Sequence, residues 1–148
     1  MKIALGSDHG GFHYKTEIAT HLIKKGYEII DCGTFSEESC DYPIFGIAAA
    51  EKVASQTADY GILVCTTGEG IMMAANKVKG IRCALGYNDE VSILCRQHNN
   101  ANMIAFGQKF MELEDVLRRV DLFLTTAFDG GRHIRRVAEI DHYTNQSK

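Results

Sequence analysis

Apolar runs of strand length alternate with segments of helical period along most of the chain. Lys2–Gly6 (KIALG) predicts a short first strand that runs into Ser7-Asp8-His9-Gly10-Gly11, a polar turn with paired glycines. From Phe12 to Lys25 the apolar positions Ile18, Ala19, Leu22 and Ile23 recur at helical spacing, and Gly26 supplies the stop. Tyr27–Asp31 reads as a second strand and Cys32–Tyr42 as a polar loop. Pro43 suits the first position of a helix over Ile44–Ala54. A third strand ends at Cys65 and a helical segment starts at Ile71. Ile81–Gly86 predicts a fourth strand, and Asn88 suits the N-cap of a helix over Asp89–Gln97. Asn102–Gly107 reads as a fifth strand. A helix over Leu113–Phe128 carries Leu113, Val116, Leu117, Val120, Phe123 and Leu124 on one stripe. Asp129-Gly130-Gly131 breaks it, and Arg132–Tyr143 predicts a terminal helix. Strands alternating with helices imply an α/β fold: a three-layer α/β/α sandwich around a parallel sheet of about five strands.

The chain is organised around Tyr60–Lys77, YGILVCTTGEGIMMAANK. A buried-type strand, a glycine-rich turn (Thr66-Thr67-Gly68-Glu69-Gly70) and a helix form the pattern with which parallel sheets build anion sites. Glycines let backbone amides approach a ligand, and the helix start offers unpaired N–H groups. The thiol of Cys65 at the entrance sets this loop apart from a plain phosphate cradle. Such a cysteine near a helix N-terminus is a candidate base or nucleophile, and the alternative is a small buried hydrophobe.

Composition narrows the class. At 148 residues the chain fits one domain spanning 1–148, able to bury about 68–70% of its unfolded surface. Hydrophobic content is 45% and charged content 24%, as in ordinary globular chains. A net charge of −3 argues against a nucleic-acid surface, so a phosphate ligand must be met by a local cluster. Five cysteines, with no CxxC pair or zinc spacing, and an N-terminal apolar run too short for a signal or membrane span point to reduced thiols in the cytoplasm.

In open parallel sheets ligands bind beyond the carboxyl ends of the strands. Three sets fall there: Asp8-His9, Cys65–Gly70 and Tyr87-Asn88. His9 and His13 are four apart, but the intervening Gly10-Gly11 argues against a helical metal pair, so no metal site is expected. His98-Asn99-Asn100 and the pair Arg132 and Arg136, one helical turn apart and able to clamp a dianion, follow helices that end on the opposite side. If both sets serve the Cys65 site, a second subunit brings them, which suggests a symmetric dimer with composite sites.

Four blocks, GSDHGGF, CTTGEGIMMAANK, RQHNNANMIAFG and DGGRHIRR, resemble the ribose-5-phosphate isomerase B family, whose close relatives are the galactose-6-phosphate and allose-6-phosphate isomerases. The resemblance covers nearly the whole chain in order. It implies a Rossmann-like homodimer, in some members a tetramer, with sites at the subunit interface and a C-terminal helix extending to the partner. It also implies interconversion of ribose 5-phosphate and ribulose 5-phosphate with no cofactor or metal; charge and the short apolar run are what speak against a nucleic-acid or a membrane partner. On matching positions, Cys65 resembles the base that moves a proton between C1 and C2. Thr67 and the amides of Gly68, Glu69 and Gly70 resemble the anion hole for the enediolate. Asp8 and His98 resemble ring-opening groups, and His9, Arg132 and Arg136 phosphate ligands. Asn99 resembles a contact from the partner, and Tyr42 a side chain lining the site.

Two departures fall in substrate-binding positions. Thr66 stands where the family commonly has glycine, and Lys109 where it commonly has arginine, which keeps charge but loses bidentate reach. Ile71 stands where some members place a glutamate base, so Cys65 puts this chain with the cysteine-base branch. Alternatives to a ribose-phosphate isomerase are a six-carbon sugar-phosphate isomerase, a non-catalytic nucleotide or phosphate module, and covalent cysteine catalysis. The first turn lacks GxGxxG, which weighs against the module, and no cysteine–histidine pairing within one subunit supports the last.

Overall fold

The computed structural model describes residues 1–143. Strands are β1 (Lys2–Ser7), β2 (Glu28–Asp31), β3 (Tyr60–Cys65), β4 (Cys83–Leu85) and β5 (Met103–Gly107). Helices are α1 (Phe12–Lys24), α2 (Tyr42–Ala54), α3 (Glu69–Ala75), α4 (Asp89–Gln97), α5 (Leu113–Thr125) and α6 (Arg132–Asp141), with a 3-10 turn at His9–Gly11. The sheet is parallel throughout, in the order β2-β1-β3-β5-β4. Every expected element is present, with shifted ends. α3 starts at Glu69 rather than Ile71, because Gly68 in the left-handed region (φ 85°) already turns the chain into the helix. β4 is cut to three residues. The Arg82 N–H bonds the Asn102 side-chain oxygen at 2.8 Å instead of a neighbouring strand. α5 stops at Thr125, where Thr126 is extended and its hydroxyl bonds the Leu122 carbonyl at 2.5 Å.

Alternation along the strands sorts the core into two layers. Ile3, Leu5, Ile62, Val64, Ile104 and Phe106 face one side, against Ile18 and Leu22 of α1 and Val116, Val120 and Phe123 of α5. Ala4, Leu63, Cys65, Met103 and Ala105 face the other, against Ala49, Ala50 and Val53 of α2 and Ile71 and Ala75 of α3. Burying each large aliphatic or aromatic side chain is worth about 1.5–3 kcal/mol, so both layers contribute to holding the sheet. The second layer is rich in small residues. A Cβ on Gly46 would lie 2.8 Å from the Ile71 side chain, so α2 and α3 lie close together.

Strand order also fixes where a ligand fits. The chain leaves β1 towards β2 on one side and leaves β3 towards β4 on the other, so a crevice opens beyond the carboxyl ends of β1 and β3. An ion pair with one buried partner frames one wall. Lys15, 2% exposed, donates to both oxygens of Asp31 at 2.6 and 2.8 Å, with Phe12 and Phe35 rings 5.5 and 5.4 Å from its ammonium. Asp31 Oδ1 also accepts the Gly33 N–H at 2.9 Å, which fixes the start of the loop leading to α2.

Candidate active site

Cys65 closes β3 and is 4% exposed. Its sulfur receives the Gly68 N–H at 3.1 Å. Thr67 Oγ1 accepts the Glu69 N–H at 3.1 Å, which leaves its hydroxyl proton free for a ligand. Close packing holds the loop in place. A side chain on Gly107 would strike the Thr67 carbonyl, and one on Gly70 would come 2.8 Å from the Tyr42 ring. Tyr42 therefore stands against the loop as a side wall. Two carbonyls of the loop are tied to the turn after β5: Cys65 accepts the Gln108 N–H at 2.9 Å and Thr66 the Lys109 N–H at 3.1 Å. Lys109 thus flanks the same end of the sheet, its ammonium 5.8 Å from the Phe110 ring.

The turn after β1 supplies the facing wall. Thr66 and Gly10 touch closely enough that a Cβ on Gly10 would meet the Thr66 hydroxyl. Asp8 is buried, and among the described residues no donor reaches its Oδ1. His9 Nδ1 accepts the Cys40 N–H at 3.2 Å, so the neutral ring carries its proton on Nε2, a donor suited to an anionic oxygen. The expected sets Asp8-His9 and Cys65–Gly70 therefore converge on the crevice. Tyr87-Asn88 does not join them. It follows the edge strand, and the Asn88 side chain is used in capping α4, accepting the Val91 N–H at 2.7 Å.

The remaining residues gather at the other end of the sheet. His98 caps the C-terminus of α4, followed by Asn99, and Asn100 takes φ 47°. The His98 ring stacks on His133 of α6, with centroids 4.4 Å apart and planes at 13°. Arg132 and Arg136 are both exposed on α6. Burial, followed by the His98, Arg132 and Arg136 charges, holds the His133 pKa below its ordinary value of 6.5. A five-residue strand spans about 17 Å, so these groups cannot reach the Cys65 thiol of their own chain. His133 was not singled out from the sequence, although its place inside the RHIRR run, one residue from Arg132, was the available signal.

Burial raises the pKa of Cys83 far above the usual range, pushes Cys95 up to about 11, and raises that of Cys32. These three are protonated and unreactive near neutral pH. Among the described residues, no histidine hydrogen-bonds the Cys65 sulfur, and no helix is long and apolar enough to cross a membrane.

Residues 3–140 match the family described as Ribose/Galactose Isomerase. The chain belongs to this family. It is 46% identical over 139 residues to ribose-5-phosphate isomerase B of Escherichia coli, covering 94% of this chain and 93% of that protein. A solved structure of the ribose-5-phosphate isomerase B of Clostridium thermocellum superposes with a TM-score of 0.94 at 50% identity, covering 95% of both chains. That of Mycoplasma genitalium, solved with bound ribulose-5-phosphate, gives 0.93 at 39% identity, covering 99% of this chain and 97% of the other. The sheet with six helices found here matches the architecture of these solved structures, with GSDHGGF and the Cys65 block at strand ends.

Proposed function

We propose that this chain is an aldose–ketose isomerase that interconverts D-ribose 5-phosphate and D-ribulose 5-phosphate. The observation that carries the reading is the Cys65 thiol, seated in an amide-rich loop at the β1/β3 crevice. Family membership and the relatives named for this reaction support it.

The geometry suits each step. A hemiacetal opens when O1–H loses its proton, the C1–O4 bond breaks and O4 gains a proton. Asp8 and His98 are the assigned proton carriers. The Cys65 thiolate then removes the C2 proton, and the electron pair forms the C1–C2 double bond of an enediolate. Thr67 and the amides of Gly68, Glu69 and Gly70 hold the developing negative oxygen. Return of the proton to C1, with the O2–H proton passing to O1, gives the ketose. The steps balance in protons and electrons without a redox partner. A positioned base contributes about 10²–10⁴-fold, and each donor to the oxyanion on the order of 10²–10³-fold. His9, Arg132 and Arg136 take the phosphate, Lys109 adds charge near it, and Tyr42 and Thr66 line the sugar.

Because the groups lie at opposite ends of the sheet, each site is assigned to two copies of the chain. His98, Asn99 and the α6 arginines then come from the partner. Exposed apolar side chains on α2, α3 and α6 support a homodimer: Ile44 (63%), Met73 (62%) and Ile134 (59%). Pairing of dimers into a tetramer is compatible with the same arrangement. Five free cysteines fit a reducing cytoplasm.

The test is a coupled assay of purified, chelator-treated protein on ribose, allose and galactose phosphates, compared by initial rate. The ribose compound should be turned over fastest. A higher rate on a six-carbon phosphate would reassign the substrate. Nucleotide binding with no isomerase activity would replace the reading with a phosphate-binding module.

A further inference from the structure

The second group of residues depends on two elements, the end of α4 and the helix α6, and neither is part of the sheet. α6 is weakly anchored by apolar packing, since Val137 is its one fully buried side chain. Polar ties must therefore hold it. At its start, the Asp129 N–H bonds the Gln97 carbonyl at 3.0 Å and His133 stacks on His98. At its far end the tie is Arg82.

Arg82 begins from a fixed point. Its N–H bonds Asn102 Oδ1 at 2.8 Å, and its carbonyl accepts the Asn102 N–H at 3.0 Å. The side chain, 14% exposed, then divides its donors between two elements. Nε donates to the carbonyls of Asn99 and Asn100 at 3.2 and 3.1 Å, and Nη2 to the Asn100 carbonyl at 2.9 Å. Nη1 donates to both oxygens of Asp141, the last residue of α6, at 2.7 and 2.8 Å. The carbonyls belong to the turn that ends α4, where backbone acceptors lack helical partners and Asn100 sits at positive φ. One planar guanidinium thus closes that turn and ties down α6.

We propose that Arg82 is a positioning residue for the isomerase reaction. It makes the turn bearing His98 and Asn99 and the helix bearing Arg132 and Arg136 one rigid unit, which is presented to the crevice of the partner. This rests on the shared-site reading above. Arg82 itself touches no substrate. Arginine is required because its fork serves both elements at once, whereas the ammonium of lysine donates from a single point.

Two substitutions separate its two arms. Asp141→Asn weakens the hold on α6 and leaves the turn intact. KM for ribose 5-phosphate should rise about tenfold with kcat little changed, because the phosphate helix is what loosens. Arg82→Lys keeps an ion pair with Asp141 but loses the fork on Asn99 and Asn100. Here kcat should fall about tenfold with KM little changed, since the ring-opening histidine is what drifts. A 4-deoxy analogue of ribose 5-phosphate, which has no O4 to close a furanose, should be isomerised by Arg82→Lys at close to the wild-type rate. Partial unfolding lowers kcat for both substrates equally, so it cannot produce this pattern. The proposal is overturned if the two variants shift kcat and KM alike, or if neither shifts either constant. Failure of the wild-type protein to turn over ribose 5-phosphate would instead remove the reading on which it rests.

Discussion

The two groups of site residues are held in place by different means. Around Cys65 the placement is done by backbone: a strand end, a left-handed glycine, and carbonyls of Cys65 and Thr66 bonded to the turn after β5. Around His98 it is done by side chains, through an imidazole stack and a shared guanidinium at the ends of two helices. Proton transfer at carbon tolerates little displacement, and the rigid sheet supplies that accuracy. On the proposed assignment, gripping a phosphate and opening a ring fall to side chains at helix ends outside the sheet, held by side-chain contacts rather than by strand pairing.

Four experiments bear on that division. Cys65→Ser strikes the rigid group at its centre. Turnover should fall about 10³-fold while binding of the phosphosugar persists, because serine is a far weaker base near neutral pH. Near-wild-type turnover would remove the thiol from the chemistry. Substrate should also slow alkylation of Cys65 by iodoacetamide, followed by peptide mass. Replacing both Arg132 and Arg136 by alanine strikes the adjustable group. kcat/KM should fall about 10²-fold, mostly through KM, given that hydrogen bonds to charged groups are worth about 1.5–3 kcal/mol each. An unchanged KM would make the pair a solvated face.

Mixing these two impaired variants, assayed at substrate far below the KM of the double-alanine protein, tests whether the groups meet across subunits. After unfolding and co-refolding, about half the dimers are mixed and each keeps one whole site, so about a quarter of wild-type activity should return. Mixed dimers that remain inactive, verified by differential tagging, would place each site within one chain.

The smallest effect concerns pH. His133 has a folded pKa below its ordinary value of 6.5, so the folded state binds fewer protons than the unfolded state as pH falls below 6.5. Its contribution to holding α6 is present above that value and is lost as pH drops through the folded pKa. The acid limb of kcat/KM should therefore be shallower in His133→Gln than in wild type. Identical limbs would show that the stack does not limit activity in acid.

Much of the fold was legible because period and punctuation agreed. The helical spacing after Phe12 ended at Gly26, and Asn88 capped α4 as its type suggests. Ends were misplaced where a side chain replaced a backbone partner, as Asn102 does for Arg82, or where a glycine began a helix, as Gly68 does. Strand order explained which turns meet. Asp8 and Cys65 lie on adjacent strands, whereas Tyr87 follows the edge strand, and no local pattern distinguishes those positions. Lys15 and Arg82 differ again: their roles come from partners 16 and 59 residues away, and an isolated basic residue reads as surface until its partner is placed.

The glycine and alanine layer between α2 and the rest of the fold bears on how this scaffold can change its diet. With Gly46 against Ile71 and Gly70 beneath Tyr42, the wall and floor of the proposed sugar site are packed too closely to admit a further methyl group. On the proposed assignment, a lineage that shifts to a longer sugar has little freedom to enlarge that wall without displacing the Cys65 loop. The open route is at α6, where moving a helix by one turn advances the arginines by about 5.4 Å and leaves the thiol where it was. Selection for growth on a six-carbon phosphate should accordingly collect its first substitutions near Gly130 to Asp141, and a first harvest within Cys65–Gly70 would contradict this.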